Sequence, residues 1–453
     1  METKKTQNSD MVVAVDLGST KIYSVVARKN MLGRIEIIGY GKSANEGVIR
    51  GVVSNIDKTA KSISDAIDMS EKISRQEILS IHTGIAGHHI KSISHQGMSY
   101  RSNPQDEITS EELEKLKQEI SKIALPLGEQ ILHIVPEEYT VDDQAGILDP
   151  IGMFGSKLQC KFHIITGQSS ATNNVIRSFE KAGLEIDSVT LNAIAAADSV
   201  LSGEEKEAGV VLVDLGGGTT DISIYQEGIL KYTASIPLGG SIITKDIKAG
   251  CTVTHDQAEK LKVRFGSALA EEVIDNRIIT IPGIMGREPK EISEKNLSRI
   301  IQARIQEIFE FIMWEIHKSG YENKLVAGIV LTGGAANLKN IELLAEYQTG
   351  LPARIGDPFT FGNSQFEKDV LLPEFAVCLG IIKEAMKSVK AVEPKSIATN
   401  GAVFNLDEPL DQKIPELEEV DATDSKPNWF GKVINKSYRS VKEFFEASPD
   451  SEF

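Results

Sequence analysis

VVLVDLGGGTTDISIY (Val210–Tyr225) rewrites, almost position for position, an earlier stretch of the same chain, VVAVDLGSTKIYSVV (Val12–Val26). Each begins with β-branched residues, which suit a pleated strand, and reaches an Asp. Small residues follow, of the kind that suit a tight turn, and then a second β-branched run. Each copy therefore reads as a hairpin whose first strand ends at Asp16 or Asp214. The glycines Gly18, Gly216, Gly217 and Gly218 let main-chain N–H groups come close to a phosphate, and the hydroxyls of Ser19, Thr20, Thr219 and Thr220 add donors. The two carboxylates would then face a phosphate-bound Mg²⁺ through water, because Mg²⁺ keeps much of its hydration shell. One such turn joins strands in many sheets. Two are better explained by two lobes that offer one hairpin each to the same polyphosphate.

The pattern around each copy repeats as well. VVAVDLG, KIYSVVA and RIEIIGYG read as three strands, followed by a helical stretch, SNIDKTAKSISDAIDMSEK; VVLVDLG, TDISIYQ and ILKYTASI open the second copy. The duplication is one of architecture, and the expected class is α/β with two lobes. The first lobe is expected over 10–83, continued by 164–204 and 373–388, and the second over 205–372. Residues 84–163, with the charged helix ITSEELEKLKQEISKIAL, read as an inserted small α+β subdomain. Trp314, in FEFIMWEIH, reads as a core-facing helical residue.

Two further elements suit the same ligand. LTGGAAN follows a strand and opens a helix, so Gly333, Gly334 and Ala335 would let a ribose or flat ring lie against backbone. In AEKLK, Glu259 and Lys262 stand at i, i+3 on one helical face, placed to reach a ribose and an adenine edge. Taken alone, such a pair is most often a solvated surface ion pair.

The bounds are those of an ordinary soluble protein. With 453 residues and a formal charge of −16, the chain has room for several cores, and its acids run throughout the body, which argues against nucleic-acid binding. Cys160, Cys251 and Cys378 are odd in number and far apart, so neither a disulfide framework nor a C-x-x-C metal site is written. A reducing cytoplasm fits. The polar start METKKTQNSD has no signal-peptide core, and no apolar run reaches the ~18 residues that span a bilayer.

In order, VDLGST, LNAIAAADSV, VDLGGGTTD, AEKLKVRFG and LTGGAAN resemble the actin, sugar-kinase and DnaK-type ATPase superfamily. Within it, HIVPEEYTVDDQAGILDPIGMFGSKLQCKFHIIT (133–166) resembles the inserted subdomain that sets apart the FtsA family of bacterial cell-division actin homologues. The resemblance implies the actin-like, ribonuclease H-like ATPase fold, with ATP and Mg²⁺ held between the lobes by the residues named above together with Lys21. It implies weak or absent turnover, polymerisation of the protein with itself on a membrane, and tethering of the tubulin-like protein FtsZ. The inserted subdomain would contact later division proteins. The implied location is the cytoplasmic face of the cell membrane at the division site. Where DnaK-type ATPases carry a Glu in N-E-P-T-A-A-A, this chain reads Asn192, Ala193, Ile194, Ala195, Ala196 and Ala197. An alanine cannot orient a nucleophilic water, so tight binding with slow hydrolysis is expected.

Residues 389–427 turn acidic and proline-bearing, and read as a flexible linker. Residues 428–447 read as an amphipathic helix, with Phe430, Val433, Ile434, Val441, Phe444 and Phe445 on one stripe and Trp429 at its edge. Lys432, Lys436, Arg439 and Lys442 flank or oppose that stripe, a composition that suits an anionic membrane surface. A helix docked on the body or on a partner is the other reading. For the whole chain, the alternatives are a small-molecule kinase of the same superfold and a pilus-assembly relative.

Overall fold

Alternate residues of the two duplicated strands enter different cores, which explains why both runs are apolar throughout. In the computed structural model, Val13 and Val15 pack with Ile63 and Phe179, beneath helices Ile56–Ser74 and Ser169–Lys181, while Val12 and Ala14 face the other way. In the second copy Val211, Val213 and Leu215 join Ile243, Ile305 and Leu331, and Val210 and Leu212 point oppositely. A strand covered on both faces carries no polar alternation. The structure describes residues 10–30, 32–283, 288–360 and 365–388; the expected linker over 389–427 and the expected helix over 428–447 lie outside the described residues.

Each copy heads a five-stranded sheet, and the two sheets have the same topology. In the first the spatial order is Glu185–Leu191, Ser80–Ile85, Met11–Leu17, Lys21–Lys29, Ile35–Ala44. In the second it is Ala353–Ile355, Ile329–Thr332, Val210–Leu215, Thr220–Gln226, Ile229–Ile236. In both, the duplicated strand pairs antiparallel with its successor and parallel with the strand on its other side. Asn55 begins the long helix Ile56–Ser74 by accepting a hydrogen bond from the Lys58 N–H at 2.9 Å, an N-cap that satisfies one of the helix's unpaired donors.

The third core belongs to both lobes. Val12 and Ala14 meet Val210, Leu212 and Val330 there, with Ala195, Ala196 and Ala197 of helix Asn192–Val200 and Leu379 and Ile382 of helix Ala376–Ser388 packed between. Continuing the strand alternation, Asp16 falls on the face of Val12 and Ala14, and Asp214 on the face of Val210 and Leu212. Both aspartates are therefore carried on the inter-lobe side.

The insertion has its own four-stranded antiparallel sheet, ordered Lys91–Tyr100, Lys157–Gln168, Glu129–Val141, Gln144–Ile147, with helix Ser110–Ile120 closing a small core around Leu116, Phe162 and Leu158. Its sheet does not stop at residue 163, where the sequence pattern put the boundary. Strand Lys157–Gln168 pairs through to Gln168, and Ser80–Ile85 stays in the first lobe. Pairing, not composition, marks that edge.

Trp314 departs from expectation. Helix Glu294–Ser319 buries Ile305, Ile308, Ile312 and Ile316, and turns Trp314 outward, 58% exposed, with the Lys318 ammonium 4.8 Å above its ring. The isoleucines at i, i+3 and i+4 spacing already fill the core-facing stripe. Among the described residues no helix is long and apolar enough to cross a membrane.

Candidate functional site

The two duplicated turns meet. Register places Leu17 opposite Ile22 and Leu215 opposite Thr220, so four residues form each turn, 18–21 and 216–219. A Cβ built on Gly217 would lie 2.4 Å from Thr20 Oγ1, and one on Gly218 would lie 2.4 Å from Ser19 Oγ. Any side chain at 217 or 218 would force the turns apart, so glycine is required for this approach.

Asp16, Asp214 and Asp221 stand below the turns, each 9% exposed. Asp221 lies directly opposite Asp214 in the hairpin register. Burial, opposed by a hydrogen bond from Asn192 and reinforced by Asp221, pushes the Asp16 carboxyl up to about 6. Burial pushes Asp221 up to about 6 against the hydrogen bonding of its neighbours, and holds Asp214 well above the usual carboxylate range, with Asp221 and Asp16 adding repulsion. None of the three forms an ion pair among the described residues. Buried acids without a counter-charge are unfavourable as ions, and the hard oxygen donors they offer fit Mg²⁺. No cluster of His, Cys, Asp and Glu among the described residues would hold a metal by itself, so such an ion needs phosphate oxygens and water to complete its shell.

The remaining candidates gather around this centre. Gly240 N–H donates to the Gly216 carbonyl at 2.9 Å, which draws the start of helix Gly240–Cys251 onto the second turn. Lys262 Nζ donates to Gly240 O at 3.1 Å, to Thr244 Oγ1 at 2.9 Å and to Glu259 Oε2 at 2.7 Å. The pair is thus built into the lobe and is no loose surface contact. Burial pulls the Lys262 ammonium down; burial raises Glu259, but Lys262 and Thr244 outweigh it and hold that carboxyl low. Lys21 also acts electrostatically on both, which places the first turn within reach of this helix. Ala335 lies against Gly240, and Gly333, at φ 86°, sits where a Cβ would come 2.1 Å from Asp214 Oδ1. Gly334–Asn337 form only a short 3₁₀ turn, and the α-helix begins at Ile341 because Asn340 is left-handed, at φ 59°.

Several hydroxyls are committed locally. Thr219 donates to Asp221 at 3.2 Å, Thr220 donates to the Leu238 carbonyl at 2.9 Å, and Ser19 Oγ accepts from the Gly51 N–H at 3.0 Å. The Gly216 N–H is committed as well, to the Thr219 carbonyl at 3.0 Å, while the Ser19 hydroxyl, an acceptor here, keeps its proton to donate.

Three residues here escaped the sequence reading. Asp221 had a signal, since a seven-residue separation across a four-residue turn sets it opposite Asp214. Asn192 Nδ2 donates to Asp16 Oδ1 at 3.0 Å across 176 residues of chain, and Asn45 Nδ2 donates to the Gly18 carbonyl at 2.8 Å; neither contact leaves a local pattern. An open concavity of about 550 Å³, lined by Lys245, Lys248 and His255 among others, lies at the far end of helix Gly240–Cys251 and takes no part in this site.

The buried acids make a prediction about the ligand-free chain. A carboxyl raised from ~3.9 in the unfolded chain to about 6 keeps its proton in the folded state over that interval, so it lowers stability as pH rises through it. Buried His89 and His163, both held near 4 by desolvation, act in the opposite sense, so the effect is read as a difference between variants. Asp221→Asn is expected to stabilise the ligand-free protein on the order of 2 kcal/mol at pH 7.5, with the gain shrinking to nothing by about pH 4. Paired thermal melts across that range check it; a gain that did not change with pH would rule out the buried charge as its cause.

A family model described as cell division protein FtsA matches residues 211–380, and one described as the SHS2 domain inserted in FtsA matches residues 87–166. The cell division protein FtsA of Pseudomonas aeruginosa is 34% identical over 415 residues, covering 91% of this chain and 97% of that protein. That of Borreliella burgdorferi is 37% identical over 375 residues, covering 82% and 90%, and that of Escherichia coli K12 is 30% identical over 392 residues, covering 85% and 92%. Among solved structures, the PilM-PilN type IV pilus biogenesis complex aligns over 83% of this chain and 98% of that one, with a TM-score of 0.62 at 14% identity, a likeness of fold alone. The fold is actin-like, and the chain belongs to the FtsA family of cell-division proteins.

Proposed function

We propose that this protein binds Mg-ATP between its lobes, polymerises with itself on the cytoplasmic face of the membrane, and tethers FtsZ there at the division site. The observation that carries the reading is the meeting of two acid-bearing, glycine-dependent turns, one from each lobe, around Asp16 and Asp214. In this reading main-chain N–H groups of the turns 18–21 and 217–219 hold phosphate oxygens, with Gly216 closing the second turn through its N–H to Thr219 O. Asp16 and Asp214 hold the waters of Mg²⁺, whose part is to neutralise charge on the phosphates. Glu259, Lys262, Gly333, Gly334 and Ala335 receive the nucleoside.

Slow turnover follows from Ala193. It occupies the position that follows the Asp16-binding Asn192, and it carries no group able to orient water. The terminal stripe Phe430 to Phe445 supplies attachment to anionic lipid, and the inserted subdomain supplies the surface for later division proteins. Co-sedimentation of the full chain with FtsZ and anionic vesicles, with and without Mg-ATP, tests the whole. FtsZ is expected to pellet with vesicles only when this protein is present, and more completely with ATP. FtsZ left in the supernatant under both conditions would refute the tether.

A further inference from the structure

A third, smaller hairpin stands against both phosphate turns. Strands Val48–Ile49 and Val52–Val53 pair antiparallel, with Ile49 opposite Val52, so Arg50 and Gly51 alone make the turn. Both have positive φ, 51° and 76°, as two-residue hairpin turns require, and such turns favour Asn or Gly at these positions. An arginine there is strained where those residues would not be.

The tip is wedged in place. Gly51 N–H donates to Ser19 Oγ of the first turn at 3.0 Å, and Arg50 N lies 3.1 Å from the point a Cβ on Gly218 of the second turn would occupy. A Cβ on Gly51 would itself come 2.6 Å from Gly87 Cα. Surroundings that over-determine a strained residue are a pointer to its use. The Arg50 side chain is exposed, and no hydrogen bond or ion pair engages it among the described residues.

The second turn gives the cleft a direction. Gly216 is tied to Gly240, beside Lys262 and Ala335, at the end where the nucleoside elements lie. Gly218, two residues on, meets Ser19 and Arg50. The hairpin tip therefore stands at the opposite end, where the outermost phosphate of a nucleotide would come. Asp16, Asp214 and Asp221 lie buried below the turns, so a triphosphate arriving there needs cationic partners. A guanidinium offers a planar fork of donors matched to phosphate oxygens, and an arginine supplied in cis is a known means of engaging a terminal phosphate.

We propose that Arg50 binds the γ-phosphate of the nucleotide and so distinguishes a triphosphate from a diphosphate. The proposal rests on the nucleotide reading of the cleft and adds to it the residue that reports phosphate number. It also accounts for an arginine at a backbone position that favours glycine.

The test is calorimetric titration of the full-length chain with Mg-ATP and with Mg-ADP, for the wild type, Arg50→Gly and Arg50→Lys. Arg50→Gly keeps the turn and relaxes its backbone, so its melting temperature is expected to equal or exceed that of the wild type. It should weaken Mg-ATP binding about 10- to 100-fold, in line with the loss of a charge-assisted phosphate contact, and Mg-ADP binding by less than about threefold. Arg50→Lys should fall between, since an ammonium keeps the charge without the fork. Equal losses for both nucleotides, or none for either, would overturn the assignment. A wild-type chain that bound neither nucleotide would overturn the nucleotide reading of the cleft, and the role of Arg50 with it.

Discussion

Asp214→Ala is expected to weaken Mg-ATP binding by about 100-fold, the scale seen when an outer-shell partner of a metal ion is removed. Asp214 ends its strand on the inter-lobe side, is buried beside Asp16 and Asp221, and has no ion pair among the described residues. Its carboxyl sits well above its ordinary range because burial and two like charges disfavour ionisation. A divalent cation is the partner that would reverse this preference. The isosteric Asp214→Asn should lose affinity similarly, yet melt at a higher temperature than the wild type when no nucleotide is present, because it removes a buried charge without leaving a hole. That opposition, weaker binding with a firmer ligand-free fold, separates a functional acid from a structural one. Calorimetry with Mg-ATP decides the first half. An affinity within about threefold of wild type, which is under 1 kcal/mol, would remove Asp214 from the cation site.

Deleting residues 426–453 is expected to abolish pelleting with anionic vesicles while Mg-ATP binding survives. These residues lie outside those described, and their composition carries the expectation. Each large apolar chain inserted is worth ~1.5–3 kcal/mol, reduced for partial burial, and each cation near an anionic surface about 1 kcal/mol. Phe430, Val433, Ile434, Val441, Phe444 and Phe445 supply the first contribution, and Lys432, Lys436, Arg439 and Lys442 the second. Their sum would give reversible attachment, which would be strengthened many-fold were subunits to line up in a polymer. Neutral vesicles should hold the full chain less well, because the cationic share is lost. Equal pelleting of full-length and truncated chains would instead assign membrane contact to the body.

How far the sequence reaches is clear from particular residues. The hairpins were legible because strand, Asp and small-residue turn are contiguous and occur twice, so each copy corroborates the other. Glu259 and Lys262 could be read two ways from their spacing; the contacts of Lys262 with Gly240 and Thr244 settle that they belong to the lobe. Trp314 misled because a helix rich in isoleucine offers more apolar residues than one stripe accommodates, and only packing decides which remain outside. Asn45 and the Arg50–Gly51 turn left no recognisable signature, and Asn192 was legible as a motif position but not as a partner of Asp16, since the partners lie far off in the chain.

What the amino-acid sequence determined by itself is local: where strands begin and end, which face of each is apolar, and that one βββα unit was written twice. Those properties follow from side-chain branching, period and turn chemistry within a few residues. Tertiary structure alone decided that Gly217 meets Thr20, that Asp16, Asp214 and Asp221 share one buried site, and that the tip of a two-residue turn touches both duplicated turns. The reason is physical. Repulsion among buried acids and the close approach of two glycine turns exist only once the inter-lobe core of Val12, Leu212 and helix Asn192–Val200 has brought distant segments together.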